Sequence, residues 1–94
     1  MTAGPRVRIT FKLFATLADY LPREFEGHLR VGNELPLDVP EGTTVEALIE
    51  KFPMPRPLVH LVLVNGEFVL PGERARRVLA EGDAVAIWPP IAGG

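Results

Sequence analysis

From Arg6 to Ala15 the chain alternates in polarity, with Val7, Ile9, Phe11 and Leu13 on one side and Arg8, Thr10 and Lys12 on the other. A period of two is the repeat of a pleated strand with one buried face, so this segment is predicted to be a half-buried strand. Thr16 to Leu21 suits a short helical turn that Pro22 stops, and the stretch to Gly32 is expected to be a long surface connection punctuated by Gly27 and Gly32. Alternation returns over Glu34 to Val39. Pro36 suits an edge strand there, because proline has no N–H to give to a ladder.

The period then becomes helical. Thr43 can cap a helix and Glu46, three residues on, can reach back to complete a capping box. Val45, Leu48, Ile49 and Phe52 follow the i, i+3, i+4, i+7 spacing of one buried face, and Pro53 with Pro55 prevents continuation. Leu58 to Val64 (LVHLVLV) is the most strand-like run in the chain, and Asn65-Gly66 supplies a tight hairpin turn. Glu67 to Leu70 returns as a short strand ended by Pro71-Gly72. Glu73 to Leu79 is expected to form a helical turn, Glu81-Gly82-Asp83 another turn, and Ala84 to Trp88 the last strand. One helix covering one face of one sheet is an α+β layer pair, expected as a single domain over residues 1–94 with an extended tail over 89–94.

The alternation also leaves large residues on the wrong side. Phe14 continues the first strand onto the face of Arg8, Thr10 and Lys12, and Trp88 lies opposite Val85 and Ile87. If Val69 points inward with Val62 and Val64, then Phe68 points outward, and Leu61 and Leu63 join it. A contiguous apolar patch on a helix-free sheet face marks a partner site, so Phe14, Leu63, Phe68 and Trp88 are the candidate docking residues. A slip of one residue in register would reverse every one of these assignments.

Composition narrows the chemistry. At 94 residues, 47% hydrophobic and 23% charged, the chain has the make-up of an ordinary globular domain. No apolar run approaches the ~20 residues of a spanning helix, and the N-terminal residues lack the apolar stretch of a signal peptide, so a cytoplasmic location is the default expectation. There is no cysteine, which removes disulfides, thiolate metal sites and a cysteine nucleophile; any sulfur the protein handles is borrowed. A net charge of −2 argues against binding a nucleic-acid backbone. His28 and His60 stand in no metal-ligand spacing, and no carboxylate pair, phosphate loop or Ser-His-Asp set is recognisable. Arg74, Arg76 and Arg77, beside Glu73 and Glu81, read as a solvated turn.

The remaining candidate is the tail, Pro89-Pro90-Ile91-Ala92-Gly93-Gly94. Two prolines hold a chain extended, and glycines, having no Cβ, let backbone enter a narrow channel. The Gly94 carboxylate is therefore expected to be the working group.

The order of elements, the Gly42-Thr43-Thr44-Val45 helix start, the Val64-Asn65-Gly66 and Glu81-Gly82-Asp83 turns and the Pro-Pro-x-x-Gly-Gly tail together resemble the MoaD/ThiS family of sulfur carriers. The Pro-Pro pair is closer to the small subunit of molybdopterin synthase than to the thiamin-pathway carrier. The resemblance implies a β-grasp, ubiquitin-like fold with a mixed sheet of four to five strands and one main helix. It implies that the Gly94 carboxylate is adenylated by an ATP-using enzyme related to ubiquitin-activating enzymes, then converted to a thiocarboxylate with sulfur from a donor enzyme. That sulfur would go to an acceptor such as the molybdopterin synthase large subunit. On this reading the protein has no catalytic machinery of its own and binds no cofactor; ATP belongs to the partner, and neither nucleic acid nor membrane is expected as a partner. The long Thr16–Asn33 connection and the proline-rich Pro53–Pro57 stretch depart from the family pattern and leave the pathway open. Thiamin, cysteine and transfer-RNA thiolation remain alternatives, as do a protein modifier joined through Gly-Gly and a plain β-grasp interaction module.

Overall fold

The computed structural model describes residues 4–90. Strand β1 (Arg6–Leu13) is followed by a 3-10 turn (Ala15–Tyr20), a hairpin of β2 (Glu24–Phe25) and β3 (His28–Leu29), and strand β4 (Glu34–Pro40). Helix α1 (Val45–Glu50) comes next, then β5 (Leu61–Val64), β6 (Glu67–Phe68) and β7 (Ala84–Trp88). Five strands form one sheet in the order β4-β1-β7-β5-β6, and β2-β3 stand apart as a two-stranded sheet. β1 and β7 run parallel while every other pairing is antiparallel, so the first and last strands lie side by side in the middle of a mixed sheet.

The alternation of β1 and β4 places Ile9, Phe11, Leu13, Leu35, Leu37 and Val39 in the core, each 0 or 1% exposed. Helix α1 buries Val45, Leu48 and Ile49 in the same cluster, and the ring of Phe52 stacks on Phe11 with centroids 4.9 Å apart. The expected edge strand with Pro36 is β4, at one margin of the sheet. Among the described residues no helix is long and apolar enough to cross a membrane.

The structure corrects the start of the helix. Thr43 is committed to the turn behind β4, where its hydroxyl donates to the Pro40 carbonyl at 2.6 Å, so the cap is Thr44, whose Oγ1 accepts from Ala47 N–H at 3.1 Å. No capping box forms. The first helical N–H groups are taken by distant carbonyls, Val45 donating to Arg77 and Glu46 to Arg74 at 2.9 Å each, while the Glu46 carboxylate pairs with Arg56.

The 16–33 connection is built rather than loose. Leu17 and Leu21 are buried, and Phe25 tilts onto Phe52 at 5.1 Å. Glu26 and Gly27, both at positive φ (50° and 84°), make the tight turn between β2 and β3. The run from Leu58 starts its strand late, because prolines at 55 and 57 set a 3-10 turn over Arg56–Leu58 and the ladder begins at Leu61. β6 covers only Glu67–Phe68, but Val69 still donates to the Val62 carbonyl at 2.8 Å and is buried as expected.

Candidate functional site

The face of the sheet turned away from α1 carries the candidate docking residues. Directly opposed residues of an antiparallel pair project to the same side. The register pairs Leu61 with Trp88, and Leu63 with both Ala86 and Phe68, so these five share one face. Phe14 lies just beyond β1, yet its N–H donates to the Ile87 carbonyl at 3.1 Å, which continues the pairing and lays its ring on Trp88. The two rings are nearly parallel, 7° apart with centroids 3.9 Å apart. Phe68 is 51% exposed, Trp88 38%, and Phe14, Leu61 and Leu63 are half-buried. All four residues expected to dock, Phe14, Leu63, Phe68 and Trp88, therefore sit together on the solvent side.

Towards β4 the same face turns polar. Arg8 Nε donates to Asp38 at 2.6 Å, Lys12 lies 3.8 Å from Glu34, and His28 Nε2 lies 2.9 Å from the second Asp38 oxygen. The Arg8 hydrogen bond holds the Asp38 carboxyl below its ordinary range against an opposing desolvation effect, with His28 adding to the lowering. The Arg8 guanidinium is raised by the same contact. Each acid here has a basic partner, so the face divides into a neutralised ionic half on β4-β1 and an apolar half on β7-β5-β6.

The tail leaves from the apolar half. His60 N–H donates to the Trp88 carbonyl at 3.2 Å. Pro89 is buried and Pro90 exposed, so within the expected 89–94 tail the first proline belongs to the body and the second is outside it. Ile91, Ala92, Gly93 and Gly94 lie outside the described residues.

Two parts of this region were not legible in the sequence. Arg74, read as part of a solvated turn, is only 7% exposed; its Nη2 donates to the His60 carbonyl at 3.4 Å. Burial lowers its affinity for the proton, with Glu46 opposing and Arg56 adding to the effect. A lone arginine in a charged run carries no periodic signal of burial. Asn65 does form the expected turn, with φ of 53° followed by 83° at Gly66. It is also a clamp: its amide donates to buried Asp83 at 2.8 Å and its carbonyl accepts from Ala84 N–H at 2.9 Å. Among the described residues no group of His, Asp and Glu is arranged to hold a metal ion.

A mixed five-stranded sheet with parallel first and last strands at its centre, covered on one face by a single helix, defines a ubiquitin-like β-grasp domain. The ThiS family model matches residues 11–94, and the chain belongs to that family, as its resemblance to the MoaD/ThiS carriers implied. It is 30% identical over 91 residues to the molybdopterin synthase sulfur carrier subunit of Drosophila yakuba, a match covering 97% of this chain and 96% of that protein. The crystal structure of SAMP1 from Haloferax volcanii superposes with a TM-score of 0.60 at 28% identity, covering 93% of this chain and 99% of that one. The solution structure of small archaeal modifier protein 1 from Methanosarcina acetivorans does so with a TM-score of 0.61 at 22% identity, covering 97% and 100%.

Proposed function

We propose that the protein carries sulfur on the carboxylate of Gly94 in the synthesis of molybdopterin. The observation that carries this reading is the family match, which runs through the Gly93-Gly94 pair, together with a relative named as a molybdopterin synthase sulfur carrier subunit. A terminal carboxyl is ionised at neutral pH and so is a competent nucleophile towards the α-phosphorus of ATP. Attack expels pyrophosphate and leaves an acyl adenylate; hydrosulfide (HS−) released by a donor enzyme then attacks the acyl carbon, the C–S bond forms as the C–O bond to AMP breaks, and Gly94 becomes a thiocarboxylate. Both steps take place in the active site of an adenylyltransferase related to ubiquitin-activating enzymes, and the sulfur passes to a molybdopterin synthase large subunit.

Docking uses the apolar half of the sheet face. Phe14, Leu63, Phe68 and Trp88 form a compact aromatic and aliphatic cluster beside the point where the tail emerges, the composition that anchors interfaces. A partner seated there receives the tail at a set distance from its own active site.

The test is intact-protein mass spectrometry after incubation with ATP, a sulfur donor and the adenylyltransferase of the same organism. An oxygen-to-sulfur mass increase localised to Gly94, absent when Gly94 is deleted, supports the carrier. A second reading, a protein modifier joined through Gly94 to lysines of other proteins, is favoured by the likeness to SAMP1. It predicts adducts on those lysines instead. No modification under any of these conditions would sink both.

A further inference from the structure

We infer that Arg74 is a positioning residue for the tail: its buried side chain holds the His60 carbonyl, and through His60 it fixes the end of β7 from which the tail leaves. The inference rests on the carrier reading above and assigns a role within it to a residue outside the docking face.

Arg74 is tied at both ends. Its carbonyl accepts from Glu46 N–H at the start of α1, and its Nη2 reaches the His60 carbonyl at the entry to β5. His60 in turn donates its N–H to the Trp88 carbonyl, and Leu61 pairs with Trp88 in the ladder. Pro89 and Pro90 have no N–H, so among the described residues the His60–Trp88 bond, together with the Leu61–Trp88 pairing beside it, makes up the end of the backbone grip on β7 before the tail. Arg74 thus links the helix start to that final grip through one intermediate residue.

Stability does not account for the arginine. It is 7% exposed, has no carboxylate within ion-pair distance among the described residues, and its Nε–H has no protein acceptor. Burying a charge without a paired anion is costly, and replacing such a group by a well-packed apolar side chain is often neutral or stabilising. A guanidinium kept under those conditions supplies what an apolar chain cannot, a rigid directional donor on one chosen carbonyl. Small displacements at the base of the tail would be felt at Gly94, where near-attack geometry has little tolerance.

Wild type, Arg74→Met and Arg74→Lys are compared in three measurements: thermal midpoint, amide exchange at His60 by NMR, and steady-state activation of Gly94 by ATP and the adenylyltransferase. Arg74→Met is expected to keep or raise the midpoint while His60 exchanges about tenfold faster. Its kcat is expected to fall about tenfold with KM unchanged, because the docking side chains are untouched. Arg74→Lys, whose ammonium can still donate to the carbonyl, recovers most of both. Unchanged exchange or unchanged kcat in Arg74→Met overturns the inference, as does a large loss of thermal stability, which would make the arginine a fold element. A rise in KM alone would assign it to docking and also overturns it. If wild type itself is not activated, the carrier reading fails, and His60 exchange alone then decides whether Arg74 anchors the end of β7.

Discussion

The stack of Phe14 on Trp88 ties the end of β1 to the end of β7 on the exposed apolar face, and its strength can be isolated by a double-mutant cycle. Trp88 is 38% exposed, so roughly three-fifths of the ~200 Å² that a buried tryptophan hides is covered, about 120 Å². At ~25 cal/mol/Å² this sets an upper bound of about 3 kcal/mol on the burial lost in Trp88→Ala. A 94-residue domain has stability on the order of 9 kcal/mol, so the variant stays folded and its unfolding can be measured. With the rings 7° apart and 3.9 Å between centroids, the pair itself is expected to contribute about 1 kcal/mol beyond burial. Urea unfolding of wild type, Phe14→Ala, Trp88→Ala and the double variant gives the four free energies, provided the slope m is constant. The expected coupling is about 1 kcal/mol. A value inside the ~0.3–0.5 kcal/mol scatter of independent sites would show that the rings do not support one another and would refute the stack as a stabilising contact. The same two single variants should raise KM for activation about tenfold or more with kcat held, the signature of lost docking.

Three further outcomes follow from the fold. Thr44→Ala should cost about 1 kcal/mol in urea unfolding through loss of the helix cap. Asn65→Ala removes a donor from Asp83, which is 7% exposed, and an acceptor from Ala84, and should cost about 1–3 kcal/mol; a smaller loss would mean that solvent replaces both bonds. Asp38 has a folded pKa below its ordinary value of 3.8, so it binds protons more weakly in the native state than in the unfolded one. Its contribution is therefore complete above 3.8 and is lost as pH falls through the lower folded value. Thermal midpoints of Asp38→Asn should decline less steeply across that acid window than those of wild type, and parallel curves would refute the linkage.

Much of this was legible because apolar period carries both element type and facing. The alternation from Val7 to Leu13 and the Val45, Leu48, Ile49 spacing survive as β1 and α1, and Phe14 and Trp88, out of phase with the buried positions of their strands, lie on the helix-free face that the alternation implies. Period says nothing where elements are too short to have one, which is why the two-residue strands β2 and β3 escaped notice. Their turn also uses Glu26 at positive φ, a residue that gives no turn signal. Thr43 and Thr44 are chemically equal as caps. The two N–H groups a Thr43–Glu46 capping box would have used are taken elsewhere, that of Glu46 by the carbonyl of Arg74, about thirty residues away and invisible to local pattern, and that of Thr43 by the carbonyl of Pro40. Arg74 itself is buried by tertiary context alone.

The parallel neighbourhood of β1 and β7 has a consequence for how the chain is made. β7, which follows the other described strands along the chain, occupies a middle position, hydrogen-bonded to β1 on one side and β5 on the other. Until it is inserted the sheet is two separate halves with open edges, and contacts between the first and last strands demand closure of almost the whole chain. A chain in which β7 is not yet seated therefore has no assembled helix-free face, because Ala86 and Trp88 lie on that strand and Phe14 pairs with its Ile87. Completion of the fold acts as its own checkpoint: the face that carries Phe14, Leu63, Phe68 and Trp88 exists only once β7 has closed the gap between β1 and β5.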